Sequence, residues 1–225
     1  MARLGHLLKT LTSTVSTIAA AAISIMAGIL AFAPTSMADA STCRIAVLGD
    51  SLTASYGIAL EQGFPAQLER ALSGAGHDCQ VLDAGVSGDT TAGGLARLDW
   101  MLADQPSHVI VELGANDGLR ALPTDQMREN LGAIIKRLKE EEIAVLLAGM
   151  LAPPNLGKDY SRAFAGVFED LATTHDIPLY PFFLDGVAGE PSLNQPDQLH
   201  PLPEGIAVIV ERILPTVTAW LDRDN

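Results

Sequence analysis

The chain has 225 residues, with 14 Lys or Arg against 27 Asp or Glu, so its formal net charge is −13 at pH 7. Because nucleic acids and anionic membrane surfaces attract basic patches, this acidity argues against both as partners. The length predicts one or two domains.

The first 40 residues have the organisation of a secretory signal. Two basic residues precede an uncharged, mostly apolar stretch over residues 11–34, and two small-x-small sites then end at Ala38 and Ala40. This order predicts a signal peptide over residues 1–40, cleaved after Ala38 or Ala40. The apolar stretch is also long enough to span a bilayer, so an uncleaved membrane anchor is the alternative.

Cleavage would leave residues 41–225, a suitable length for a single α/β domain. That segment retains 12 basic and 26 acidic side chains, a net charge of −14. We expect a periplasmic or secreted monomer with no stable membrane insertion once the signal is removed.

Strands and helices alternate along the rest of the chain. Short apolar runs rich in β-branched residues predict five strands: Arg44–Leu48, Gln80–Ala84, His108–Leu113, Ile143–Ala148 and Pro178–Phe183. Helical spacing of apolar residues predicts five helices: Phe64–Leu72, Thr91–Leu102, Thr124–Glu142, Tyr160–Thr174 and Pro203–Leu221. The alternation predicts a three-layer α/β/α domain around a doubly wound parallel sheet, with the flavodoxin-like strand order 2-1-3-4-5.

Cys43 and Cys79 are the only cysteines, and each immediately precedes one of the first two strands. If those strands are parallel neighbours, the two cysteines lie side by side at one sheet edge. We therefore predict a disulfide, which exported proteins can form and keep. Two buried free thiols are the alternative, and a metal site is not expected from two cysteines without a paired histidine.

A serine follows the first predicted strand directly, within residues 49–52 (GDSL). Open α/β sheets bind ligands outside the carboxyl ends of their strands, so Ser51 is a candidate nucleophile. The tetrapeptide alone is ambiguous, because Asp and Ser are also favoured at helix N-caps. In the predicted strand order, however, the loops that carry Ser51, Gly88 and Asn116 converge at one switch point.

A serine nucleophile needs a base, and elimination among five histidines favours His200. His200 lies in the loop after the fifth strand, on the same face as Ser51, and Asp197 precedes it by one turn. That spacing allows the carboxylate to orient the imidazole, although a solvated turn before a helix would look the same. The other histidines lie in the signal, at the opposite strand edge or at a helix end: His6, His77, His108 and His175.

Acyl transfer also needs hydrogen-bond donors for the oxyanion. The backbone N–H groups of Ser51 and Gly88 and the side-chain amide of Asn116 are the candidates. Taken singly, Gly and Asn are ordinary loop residues, and each has that simpler explanation.

Together these segments resemble the SGNH hydrolases, also called the GDSL family of esterases and lipases, and in particular its small periplasmic arylesterase, thioesterase and lysophospholipase branch. The four matching segments occur in the family's order, at residues 49–52 (GDSL), 85–90 (GVSGDT), 114–117 (GAND) and 197–201 (DQLHP). The resemblance implies that Ser51 is acylated, with His200 as general base and Asp197 as its orienting partner. It also implies an oxyanion hole built from Ser51, Gly88 and Asn116, and no metal or organic cofactor.

The substrate is expected to be a small acyl or aryl ester, with thioesters and lysophospholipids as further possibilities. Apolar residues near the predicted site favour such substrates, and we expect contacts from Leu52, Tyr56, Met150, Leu151 and Pro153. The loop that contains the last three could equally be an ordinary packed connection. A carbohydrate O-acetylesterase of the same fold and a non-catalytic binding module remain the alternative functions.

Overall fold

The computed structural model describes residues 43–223, so the predicted signal peptide lies outside the described residues. The sheet is formed by five parallel strands: β1 Cys43–Gly49, β2 Cys79–Gly85, β3 His108–Glu112, β4 Ala144–Ala148 and β5 Leu179–Tyr180. Their order is β2-β1-β3-β4-β5, which confirms the predicted topology. Both faces of the central strands are covered: β1, β3 and β4 are almost continuously buried.

Within residues 43–223, seven α-helices connect or follow these strands: α1 Phe64–Gly74, α2 Thr91–Ala96, α3 Leu98–Leu102, α4 Ala115–Leu119, α5 Thr124–Glu140, α6 Lys158–His175 and α7 Pro203–Leu221. They pack in two groups, with α1 against α7 and with α5 against both α2 and α6. In α5 the buried side chains recur at helical spacing, while its charged residues all lie at the other positions. Among residues 43–223, none of the helices combines the length and the apolar character needed to cross a bilayer.

Three local predictions were wrong. The helix predicted at 91–102 is two helices that meet at Arg97, whose side chain reaches back to the strand ends. The fifth strand is only two residues long, because Pro181 follows it and has no N–H to donate to a ladder. The short helix α4 was predicted as a loop, since its sequence ANDGL is rich in turn-forming residues.

The disulfide prediction is confirmed. Cys43 and Cys79 are register partners at the starts of β1 and β2, and their Cα atoms are 4.5 Å apart. The bond ties two neighbouring strands together at the amino-terminal edge of the sheet, which is opposite the edge that carries Ser51.

Candidate active site

The turn after β1 presents Ser51 at the carboxyl edge of the sheet. The buried Asp50 shapes this turn, because its Oδ1 accepts from the backbone N–H of Leu52 at 3.0 Å and its carbonyl accepts from Ala54 at 3.0 Å. The Ser51 carbonyl accepts from the N–H of Tyr56 at 3.2 Å. The serine therefore lies in a turn whose backbone is hydrogen-bonded on both sides of it.

His200 faces Ser51, with 2.9 Å between Nε2 of the imidazole and Oγ of the serine. On the other side of the ring, Nδ1 lies 2.7 Å from Oδ2 of Asp197. Oδ1 of Asp197 accepts from the backbone N–H groups of Leu199 and His200, at 2.9 and 3.1 Å. The structure thus brings together the three residues that the sequence proposed as nucleophile, base and orienting acid.

The hydrogen bond from His200, followed by those from the two backbone N–H groups, lowers the pKa of Asp197 to about 2. An ionised Asp197 holds the proton of the imidazole on Nδ1 and leaves Nε2 as an acceptor toward the Ser51 hydroxyl. This is the tautomer that a general base for serine requires.

The other described histidines lie elsewhere. His108 stacks edge-on against Trp220 at the start of β3, and its Nδ1 is 2.8 Å from the hydroxyl of Ser107. His77 lies 3.9 Å from a carboxylate oxygen of Asp222. His175 ends α6, and His6 lies outside the described residues.

Asn116 is the second residue of α4, and its amide Nδ2 donates to Oδ2 of Asp50 at 3.0 Å. This contact orients the amide, because the atom that faces a carboxylate oxygen must be the nitrogen. Asp50 is fully buried, and burial raises the pKa of its carboxyl to about 6. Asn116 is half-buried, and its amide carries a second hydrogen besides the one that Asp50 accepts.

Gly88 lies in the loop after β2 and lines the same cavity as Ser51 and Asn116. Its φ of +86° is in the left-handed region, which strongly favours glycine. Its carbonyl accepts from Nη2 of Arg120 at 2.7 Å, which joins this loop to the end of α4.

A cavity of about 850 Å³ opens beside Ser51. All five residues that the sequence nominated for substrate contact line it, namely Leu52, Tyr56, Met150, Leu151 and Pro153. Sequence reasoning missed further apolar or small residues of the lining: Leu119, Phe182, Leu184, Ala188, Gly189 and Leu199. Leu119 comes from α4 and the other five come from the connection between β5 and α7, and only Leu199 falls within one of the four matching segments.

Glu112 was also missed as part of the site's support. It ends β3 with no exposed surface, and its Oε2 accepts from Thr53 Oγ1 at 2.8 Å and more distantly, at 3.4 Å, from the backbone N–H of Asp50. Burial, followed by the negative charge of Asp50, raises its pKa well above the usual range. The sequence feature that pointed to this role was a single acidic residue within the otherwise apolar predicted strand HVIVEL.

Within residues 43–223, no group of three or more His, Cys, Asp or Glu side chains is arranged to hold a metal ion. The site itself combines a serine, an imidazole and hydrogen-bond donors beside an apolar cavity.

The chain is also similar in sequence and fold to several known proteins. The model of the GDSL-like Lipase/Acylhydrolase family matches residues 47–208. Esterase TesA of Pseudomonas aeruginosa is 40% identical over 184 residues, which cover 81% of this chain and 92% of that protein. An arylesterase of Vibrio mimicus is 40% identical over 177 residues, covering 78% and 88% of the two chains.

A third relative, Thioesterase 1/protease 1/lysophospholipase L1 of Escherichia coli K12, is 37% identical over 163 residues, covering 72% of this chain and 77% of that protein. The crystal structure of TesA is similar in fold, with a TM-score of 0.75 at 39% identity over 79% of this chain and 99% of that one.

Proposed function

The chain belongs to the GDSL-like Lipase/Acylhydrolase family and is a serine esterase; on that premise we propose that it cleaves acyl and aryl esters through an acyl-enzyme on Ser51. The observation that carries the assignment of residues is the continuous hydrogen-bonded line from Asp197 through His200 to Ser51, at the mouth of an apolar cavity.

In the first half-reaction, Nε2 of His200 takes the hydroxyl proton of Ser51 as Oγ attacks the ester carbonyl carbon. The oxyanion that forms is stabilised by the N–H groups of Ser51 and Gly88 and by the amide of Asn116. The imidazolium, held by the carboxylate of Asp197, then gives its proton to the departing alcohol or phenol, and the acyl-enzyme remains.

In the second half-reaction, a water molecule takes the place of the alcohol. His200 accepts a proton from the water as the water oxygen attacks the acyl carbon, and the same donors stabilise the second oxyanion. Return of the proton to Oγ of Ser51 releases the carboxylic acid and restores the enzyme.

The cavity supports acyl groups longer than acetate, because its volume of about 850 Å³ and its largely aliphatic lining suit an apolar chain. The names of the relatives, esterase, arylesterase and thioesterase/lysophospholipase, support a range of ester and thioester substrates. We further propose that the enzyme acts in the periplasm or outside the cell as a monomer, after loss of residues 1–40, in line with the signal-like sequence.

The test is hydrolysis of p-nitrophenyl esters from acetate to palmitate by residues 41–225 and by Ser51→Ala. We expect wild-type turnover to extend beyond butyrate, and Ser51→Ala to lose roughly 10³-fold or more of kcat. Equal rates for the two proteins would remove Ser51 from the mechanism. Activity confined to acetate would contradict the acyl-chain assignment.

A further inference from the structure

The turn that carries Ser51 and the loop that carries His200 are far apart in sequence, and the side chain of Gln195 connects them. Its Nε2 donates to the carbonyl of Tyr56 at 2.7 Å and to the carbonyl of Pro201 at 3.2 Å. One amide group therefore bonds to both segments. Gln195 and Tyr56, which it joins, are 139 positions apart along the chain.

These contacts belong to a longer hydrogen-bonded path between the two reacting side chains. The N–H of Tyr56 donates to the carbonyl of Ser51 at 3.2 Å, and the N–H of Gln195 donates to the carbonyl of His200 at 2.7 Å. The path runs from Ser51 through Tyr56 and Gln195 to His200, and the 2.9 Å contact between Oγ and Nε2 closes it into a ring.

Two packing contacts accompany this path. The ring of Tyr56 lies 4.4 Å from the imidazole of His200, centre to centre. A Cβ at Gly57 would approach Oε1 of Gln195 to 2.3 Å, and the φ of this glycine is +75°. The backbone at Gly57 thus lies close against the Gln195 amide, which leaves little room for the amide to turn.

We propose that Gln195 is a positioning residue that sets the separation of Ser51 and His200 by clamping their two loops together. This inference rests on the proposed roles of Ser51 and His200. Gln195 touches neither the substrate nor the transferred proton. It acts by holding the imidazole within hydrogen-bond reach of the serine hydroxyl.

The expected consequence is kinetic. Proton transfer from Ser51 depends steeply on the distance between Oγ and Nε2, and a displacement of about 1 Å at an active site can cost roughly 10²-fold in rate. Acyl-chain binding depends instead on the cavity lining, which does not include Gln195. Loss of the clamp should therefore lower kcat and leave KM nearly unchanged.

The test compares Gln195→Met with Gln67→Met. Gln67 offers a matched control because its Nε2 also bridges two carbonyls, those of Gln62 at 2.7 Å and Pro203 at 3.0 Å, and it is half-buried like Gln195. Methionine keeps the length of both side chains and removes both donors. Steady-state kinetics on p-nitrophenyl butyrate and the burst rate of p-nitrophenol release are measured beside the Tm of each variant.

We expect Gln195→Met to lose about 10- to 100-fold in kcat and in burst rate, with KM within twofold of wild type. Gln67→Met should lower Tm comparably and keep wild-type kcat. If Gln195→Met keeps kcat within twofold, or if kcat falls equally in both variants, the clamp is refuted. Neither result would affect the proposed function, which is judged separately by wild type against Ser51→Ala.

Discussion

Replacing Asp50 by Asn tests whether the amide of Asn116 must be held in one orientation, because this substitution leaves Asn116 itself in place. In the wild type the two carboxylate oxygens accept separately, Oδ1 from Leu52 and Oδ2 from Asn116. Asparagine keeps one acceptor oxygen and presents an NH₂ group at the other position. Because the backbone N–H of Leu52 cannot rotate away, we expect the oxygen to stay on Leu52 and the NH₂ group to face the Asn116 amide.

Two donors would then oppose each other, and the Asn116 amide would turn. Loss of one oxyanion donor costs about 2.7–4 kcal/mol, which corresponds to roughly 10²–10³-fold in kcat. Asp50→Asn should approach that loss even though Asp50 is an acceptor toward Asn116 and is not itself one of the proposed oxyanion donors. Asn116→Ala removes the donor itself and sets the scale for the comparison.

The same substitution should stabilise the fold, and the gain should depend on pH. The pKa of Asp50 is raised to about 6 mainly by burial, so the folded state holds this proton more tightly than the unfolded state does. The free energy of unfolding of the wild type therefore falls by up to about 3 kcal/mol as pH rises from 4 through 6. Asp50→Asn does not show this fall, because the asparagine side chain does not titrate. The stability of the variant relative to wild type should thus increase from pH 4 to pH 8.

The assay measures kcat on p-nitrophenyl butyrate at pH 8 for wild type, Asp50→Asn, Asn116→Ala and the double variant. Urea denaturation at pH 4.5 and pH 8 accompanies the kinetics. If Asp50 acts through Asn116, the double variant should be no slower than Asn116→Ala. The reasoning fails if Asp50→Asn stays within tenfold of wild type while Asn116→Ala loses 100-fold, or if the two losses multiply.

Two further predictions concern stability. Cys43→Ser with Cys79→Ser should lower the free energy of unfolding by about 3–4 kcal/mol in urea titrations; kcat should stay at the wild-type value because the bond lies at the opposite sheet edge, and unchanged stability would refute the estimate. Arg97→Lys should lower the free energy of unfolding by about 2–3 kcal/mol. The largely buried guanidinium donates at once to Asp89 and to the carbonyls of Ala84 and Gly49, and the ammonium of a lysine cannot make all three hydrogen bonds in that geometry. Arg128→Lys, which alters a surface pair with Asp170, is the control and should change the same titration by less than about 0.5 kcal/mol; an equal effect of the two substitutions would contradict the explanation.

The pattern of apolar residues predicted the sheet because strand and helix patterns depend on residues close together in the sequence. Apolar runs and helical spacing placed all five strands and the ordered series of main helices, and α7 has the predicted bounds. One of the errors falls where a distant contact decided the outcome. Arg97 interrupts a helix because its side chain hydrogen-bonds to the ends of β1 and β2, and no local preference of the residue indicates that break.

The residue pattern was enough to predict the strand order, the cysteine pair, and the nomination of Ser51 and His200, since the strand order assigns each loop to one edge of a parallel sheet. How those residues are supported became visible only in the folded chain. The contact of Asp50 with Asn116, the burial of Glu112 beneath it and the clamp by Gln195 join segments about 60 to 140 positions apart. Such contacts depend on the paths of whole loops and on the packing beneath them, which the residue types at the two ends do not specify.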